Sequence, residues 1–271
     1  MQGIALAVVS VLFVVVAVVV TLLGIWWMPP LASNWGTLDA MIVITLIVTG
    51  VAFVGVHIAL AYFLLRYRNQ EGKKAEFFPE HHALERWLIA LTGIGIVVLV
   101  APGLFVYSNF LHSPSEAMVI EVVSQQWLWS YRYPGADGKL GGADPKLISV
   151  ENPFGIDLED PATQDDVLIA PGGQMHLPVG RPIRLELRSK DVLHSFYVPQ
   201  FRIKMDTVPG LITRLWFTPT RLGTFEVLCA ELCGASHYNM RSAVVVENEA
   251  EFQKWLSEQP TVAQTMGSAA K

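Results

Sequence analysis

Residues 225–246 read FEVLCAELCGASHYNMRSAVVV, and they hold the only two cysteines of the 271-residue chain, Cys229 and Cys233. The runs TFEVLC and SAVVVEN at either side are β-rich, and between them His237 and Met240 follow the cysteines closely. Three chemistries compete for such a loop. A disulfide suits an oxidising compartment, but residues i and i+4 of an extended strand stand too far apart, so it requires a tight loop that Gly234 would permit. Zinc usually takes C-x2-C rather than this C-x3-C, and methionine is a poor zinc ligand. Thiolate, imidazole and thioether together form the soft set that selects copper, with a weak axial methionine at electron-transfer sites.

A mononuclear copper site needs one cysteine, and two could bridge a pair of copper ions. Each ion then needs a further strong ligand, so a second histidine must join His237. Of the seven histidines, His57, His81, His82 and His112 belong to apolar helices or their edges. His176 (GGQMHLPVG) and His194 (SKDVLHSFYVPQF) remain. Placement at a strand end beside a turn favours His194 without removing His176.

Composition sets the wider frame. A mean hydropathy of +0.41 with 52% hydrophobic residues is too apolar for an ordinary soluble domain. Residues 4–27 carry no charge and are long enough for a hydrocarbon core of about 30 Å. Residues 40–65 and 87–109 form second and third spans. The first lacks a basic n-region and outruns the apolar core of a signal peptide, so a retained helix is expected. The loop between spans two and three carries Arg66, Arg68, Lys73, Lys74 and Arg86, whereas that between spans one and two has no Lys or Arg. By the positive-inside rule the basic loop is cytoplasmic and everything beyond about residue 112 lies outside. Trp26, Trp27 and Trp35 are expected in an interfacial aromatic belt.

Residues 113–271 carry 14 basic and 19 acidic side chains, the whole net charge of −5. That balance disfavours nucleic acid as a partner. Their pattern changes to short β-rich runs: AMVIEVVS, WLWSYRY, PIRLELRS, RLWFTPT, TFEVLC and SAVVVEN. In residues 183–188, Ile183, Leu185 and Leu187 share one face and Arg184, Glu186 and Arg188 the other. Many short strands with regular turn signals predict an antiparallel sandwich or barrel over residues 113–248. Residues 134–170, rich in Gly, Asp and Pro, read as a long surface excursion. Phe252, Trp255 and Leu256 have helical spacing, so residues 249–271 are expected to be a short packed helix and a frayed tail.

Three stretches carry a family resemblance: QQWLWSYRYPG, DVLHSFYVPQFRIKMDTVPG and CAELCGASHYNM, in that order beyond membrane helices. The chain resembles subunit II of the heme-copper cytochrome c oxidases that hold a binuclear CuA centre. The resemblance implies a membrane-anchored, cupredoxin-like Greek-key sandwich in a bacterial inner membrane, with the copper domain on the periplasmic side. It implies that Cys229 and Cys233 bridge two coppers, that His194 and Met240 complete one, and that His237 and the Glu231 carbonyl complete the other. The Glu231 side chain would face a magnesium ion shared with subunit I. Trp127 matches the tryptophan through which electrons enter from a c-type cytochrome. Glu85, in HHALERW, matches a glutamate at the mouth of a proton path, although the neighbouring spacing departs from the family pattern. Asp191 matches a docking acid. Arg132 stands where the family often has another, which suggests a donor that is tethered or not strongly basic. Further implied partners are subunit I and subunit III. The extra first span departs from the two common in the family. A membrane nitric oxide reductase subunit and a membrane-anchored copper carrier are the alternatives.

Overall fold

The computed structural model describes residues 2–70, 72–74, 77, 79–149, 152 and 154–266. The chain forms two compact units, Met1–Met28 with Thr37–Val106, and Pro29–Gly36 with Tyr107–Lys271.

The first unit is built from α1 (Gln2–Leu23), α2 (Gly36–Arg66) and α3 (His82–Leu111). All three are long and apolar enough to cross a membrane, with mean hydropathies of 3.2, 2.4 and 2.5 over their most apolar windows. Helix α1 stops four residues short of the expected 27. Gly24 adopts φ +64° and its N–H donates to the Thr21 carbonyl, a left-handed glycine cap that ends the helix before Trp26 and Trp27.

The second unit is a sandwich of two five-stranded sheets. One has the order β3 (Val167–Ile169), β2 (Leu128–Tyr133), β1 (Met118–Gln125), β5 (Ile183–Ser189), β8 (Thr213–Phe217). The other runs β4 (Met175–Pro178), β10 (Arg241–Glu247), β9 (Gly223–Cys229), β6 (His194–Val198), β7 (Ile203–Thr207). The six predicted strands are present. The sandwich is not wholly antiparallel, because β1 pairs with β5 and β10 with β4 in parallel. Alternation in β5 places Ile183, Leu185 and Leu187 in the core, facing Phe196, Val227 and Val244 of the second sheet, all fully buried.

Strand β1 is buried on both faces, because the 134–170 excursion, though largely exposed, turns a few apolar residues inward. Phe154 and Ile156 from that segment pack on Val123 together with Val262, closing the outer side of the first sheet. The tail takes part in this cover. Residues Val262–Thr265 form the helical turn α5, and the Val262 N–H donates to the Asp166 carbonyl at 2.8 Å, so the expected fraying does not begin at 261. Residues 267–271 of the expected tail lie outside the described residues. Helix α4 (Glu249–Ser257) starts at Asn248, whose N–H donates to Glu251 Oε2, and it buries Phe252.

Residues 29–36 are stitched to the sandwich. The Ala32 N–H donates to the Gln200 carbonyl at 2.7 Å, and the Ala32 carbonyl accepts from the Thr220 N–H at 2.9 Å. Trp35 is not part of an interfacial belt. It is buried, its indole N–H donates to the Trp216 carbonyl at 2.9 Å, and its ring packs edge-on against Trp216.

Candidate metal centre

The start of one strand and the loop that follows another supply the soft donor groups at one end of the sandwich. Cys229 is the last residue of β9 and His194 the first of β6, strands whose pairing sets Phe196 opposite Cys229. Beyond Cys229 the chain leaves the sheet until β10, and in that loop His237–Asn239 form a single 3-10 turn. The Cys229 N–H donates to the Met240 carbonyl at 3.2 Å, closing the loop so that its donors face inward.

The cysteines are free and their sulfurs stand 3.7 Å apart. A disulfide requires about 2.05 Å, so the disulfide chemistry is set aside. Cys229 Sγ lies 4.0 Å from His194 Nδ1 and 3.2 Å from the Glu231 carbonyl oxygen. Cys233 Sγ lies 3.5 Å from His237 Nδ1 and 3.8 Å from Met240 Sδ. Single ligand atoms of His194, Cys229 and Cys233 fall within 4.8 Å of one another. Every first-rank donor expected from the sequence therefore converges, with His194 rather than His176 as the second histidine. His176 instead stacks flat on Trp255 with ring centroids 4.1 Å apart, and its Nδ1 meets Glu247 at 2.9 Å.

Electrostatics favour a cation here. Burial raises the Cys229 thiol, but hydrogen bonding from His194, the Ser195 and Glu231 backbone and His237 together outweighs it and holds the group at about 6. Burial and the adjacent Cys229 sulfur push Cys233 up to about 12. Two thiolates this close cannot both ionise unaided, and a soft cation between them removes that conflict. The spacing of 3.7 Å is also less than twice a metal–thiolate bond of about 2.3 Å. The donor set fits a thiolate-bridged copper site.

The neighbouring shell orients these groups. Asp191 Oδ1 accepts from His194 Nε2 at 2.8 Å, which turns Nδ1 towards Cys229. Its Oδ2 accepts from the Gln126 N–H at 2.7 Å. Gln126 Nε2 and Trp127 Nε1 both donate to the Cys233 carbonyl, at 2.8 and 3.2 Å. Gln126 was missed in the sequence, although it stands inside the quoted QQW run beside the assigned Trp127. Glu85 is in the first turn of α3, exposed, with Oε1 accepting from the His81 N–H at 3.4 Å.

Arg132 is where the structure departs most from the sequence reading. The residue is 1% exposed, so it cannot present a charge to a docking partner. Its Nε donates to Asp166 Oδ2 at 2.9 Å and its Nη2 to the Gly141 carbonyl at 2.8 Å. Nη1 reaches Glu121, whose other oxygen pairs with Arg188.

A family model described as cytochrome C oxidase subunit II, periplasmic domain, matches residues 118–248. The chain is 47% identical over 266 residues to the alternative cytochrome c oxidase subunit 2 of Bradyrhizobium diazoefficiens, covering 98% of this chain and 96% of that one. It is 31% identical over 242 residues to cytochrome c oxidase subunit 2 of Cereibacter sphaeroides, covering 84% and 77%. Among solved structures, the periplasmic domain of subunit II of cytochrome oxidase of Bradyrhizobium japonicum is 29% identical. That match covers 54% of this chain and 95% of that one with a TM-score of 0.39.

Proposed function

The chain belongs to the cytochrome c oxidase subunit II family, the electron-transfer subunit of a heme-copper oxidase, and on that premise we propose that its sandwich holds a CuA pair. The observation that carries the reading is the 3.7 Å sulfur–sulfur spacing with an imidazole Nδ1 beside each thiol. Cys229 and Cys233 would bridge the two ions. His194 and Met240 would complete one, and His237 and the Glu231 carbonyl the other. When bound, such a pair takes up and releases one electron with little change in geometry.

The protein's part is to hold and insulate. Strands β6 and β9 fix His194 and Cys229 on a rigid frame, and Asp191 fixes the imidazole. Trp127 is half-buried with its indole N–H on the Cys233 carbonyl, which supports its role as the group facing a c-type cytochrome donor. Onward transfer would go to heme in subunit I, where oxygen is reduced to water and protons are pumped. The Glu231 side chain would reach a magnesium ion at that subunit boundary, and Glu85 would stand at a proton path. Three apolar helices support anchoring in a membrane; the sandwich would lie on the periplasmic side of a bacterial inner membrane, with subunit III as a further partner.

The names borne by both relatives favour the oxidase over a nitric oxide reductase or a copper carrier. Purification in mild detergent separates the three. The oxidase reading expects a heme-bearing partner and oxygen consumption driven by a reduced c-type cytochrome. Nitric oxide consumption in place of oxygen, or reversible copper exchange with no heme partner, would contradict it.

A further inference from the structure

We propose that the cavity between the 134–170 segment, the end of β5 and the turn after β7 binds a small organic carboxylate with an apolar body, and that its occupant acts on the metal centre through the turn carrying Asp191. The link to the centre rests on the copper reading above; the binding site does not.

The cavity measures about 190 Å³, and an apolar cavity of about 150 Å³ is room enough for benzene. Ile148 and Phe154 reach it from the long segment, Val123 from β1, and Leu211 and Ile212 from the turn after β7. Val123 and Phe154 are buried, whereas Ile148, Leu211 and Ile212 are exposed. Three large aliphatic side chains left in solvent around one cavity form an apolar rim for a ligand's body to cover.

The charge among the lining residues is positive. Arg188 and Lys190 line the cavity, and no acid does so among the described residues. Arg188 is already engaged: it pairs with Glu121, and its Nη2 donates to the Phe154 carbonyl at 2.8 Å, holding the long segment against β5. Lys190 is exposed, and its Nζ donates to the uncharged Gln125 Oε1 at 3.0 Å. The neighbouring Asp191 turns its oxygens to Gln126 and His194 instead. A flexible four-carbon stem lets the Lys190 ammonium swing to a carboxylate at the cavity. One unpaired monovalent cation beside an apolar chamber selects a monoanion with a ring-sized body. The acidic surplus of residues 113–271 opposes an anion only at long range, where salt of about 0.1 M screens it beyond about 10 Å.

Ser189 ties the cavity to the metal centre. It lines the chamber, and its Oγ accepts from the Asp191 N–H at 3.3 Å and donates to the Val192 carbonyl. Asp191 Oδ1 in turn accepts from His194 Nε2 at 2.8 Å. An occupant pressing on Ser189 therefore shifts the carboxylate that sets the His194 imidazole.

The test uses the intact detergent-purified complex and 4-fluorobenzoate, followed by fluorine NMR. The uncharged 4-fluorobenzamide and the bodiless carboxylate acetate are the comparisons. Saturable binding of 4-fluorobenzoate is expected, about 3- to 10-fold tighter than the amide, the size of a partly exposed charge pair, with acetate failing to compete at equal concentration. Lys190→Gln should remove that preference and leave the amide unaffected. Ala143→Phe, placed to fill the chamber, should abolish binding of both, and copper content should stay unchanged in either variant. The near-infrared copper band of the unaltered complex should move with the same concentration dependence as binding. No saturable binding, or binding that Ala143→Phe leaves intact, would overturn the site. Equal affinity for the amide, or unchanged carboxylate binding in Lys190→Gln, would overturn the ligand class. Binding with an unmoved band in the copper-loaded complex would overturn the link to the centre. Absence of copper would overturn the copper reading and that link, while the fluorine titration would still decide the site.

Discussion

Arg132 Nε lies 2.9 Å from Asp166 Oδ2, joining two residues 34 positions apart inside the covered face of the first sheet. Asp166 also accepts from the Gly141 N–H at 3.1 Å, and its backbone carbonyl takes the Val262 N–H at 2.8 Å. One ion pair therefore ties strand β2, the 134–166 segment and the C-terminal turn together. The planar guanidinium suits the position because it reaches Asp166, Gly141 and Glu121 at once.

Arg132→Ala leaves Asp166 buried without its cation and Glu121 with Arg188 alone. Breaking such a pair costs about 3–5 kcal/mol. The apparent melting temperature of the sandwich should fall on the order of 10 °C. Arg132→Lys should recover only part of the loss, since an ammonium cannot bridge all three acceptors. Differential scanning calorimetry of the detergent-purified protein reads this directly. A shift no larger than that of an exposed arginine variant such as Arg214→Ala would refute the structural role.

Gly234 has φ +121°, a conformation that side chains other than glycine strain to adopt. An alanine there would cost about 1–3 kcal/mol and press on Gln126 and Trp127. Both groups donate to the Cys233 carbonyl, so Gly234→Ala should loosen those bonds. Cytochrome oxidation by the complex should slow more than turnover driven by a small artificial reductant that bypasses the docking face. Equal slowing of both would show that Gly234 serves only the fold.

With copper removed, the two thiols should respond to pH very differently. Thiolate is the nucleophile, so alkylation accelerates as pH rises through a thiol's titration. Cys229, raised by burial but held at about 6 by the combined hydrogen bonds of His194, Ser195, Glu231 and His237, should label first, its rate climbing between pH 5 and 7. Cys233, pushed up to about 12 by burial and by Cys229, should remain slow across that range. Peptide mapping after timed iodoacetamide exposure distinguishes the two sites. A single rise near the ordinary thiol value of about 8.5 for both would contradict this electrostatic account.

The ligand loop was legible because its information is local: two cysteines, a histidine and a methionine within twelve residues, flanked by apolar strands. Alternation likewise exposed β5, and helical spacing exposed α4. Strands β3, β4, β6 and β7 were harder to find, being only three to five residues long with too few positions to show a period. Parallel pairing of β1 with β5 is invisible locally, since its partners lie 65 residues apart. The same limit explains Arg132 and Trp35. A charge in WSYRY looks solvated until Asp166 is brought beneath it. A tryptophan next to a span looks interfacial until Trp216, 181 residues on, covers it. The anchoring of segment 134–170 was hidden for a related reason. Its glycines and aspartates dominate the composition, while the two residues that anchor it, Phe154 and Ile156, carry no periodic signal.

The central claim is that Cys229 and Cys233 jointly bridge two coppers. Metal analysis with near-infrared absorption of the purified complex, repeated on Cys229→Ser and Cys233→Ser, tests it most directly. The account predicts two coppers in this subunit and a mixed-valence near-infrared band that either substitution abolishes. Zinc in the site, a disulfide between the cysteines in the active complex, or a single copper lost in Cys229→Ser alone would contradict it.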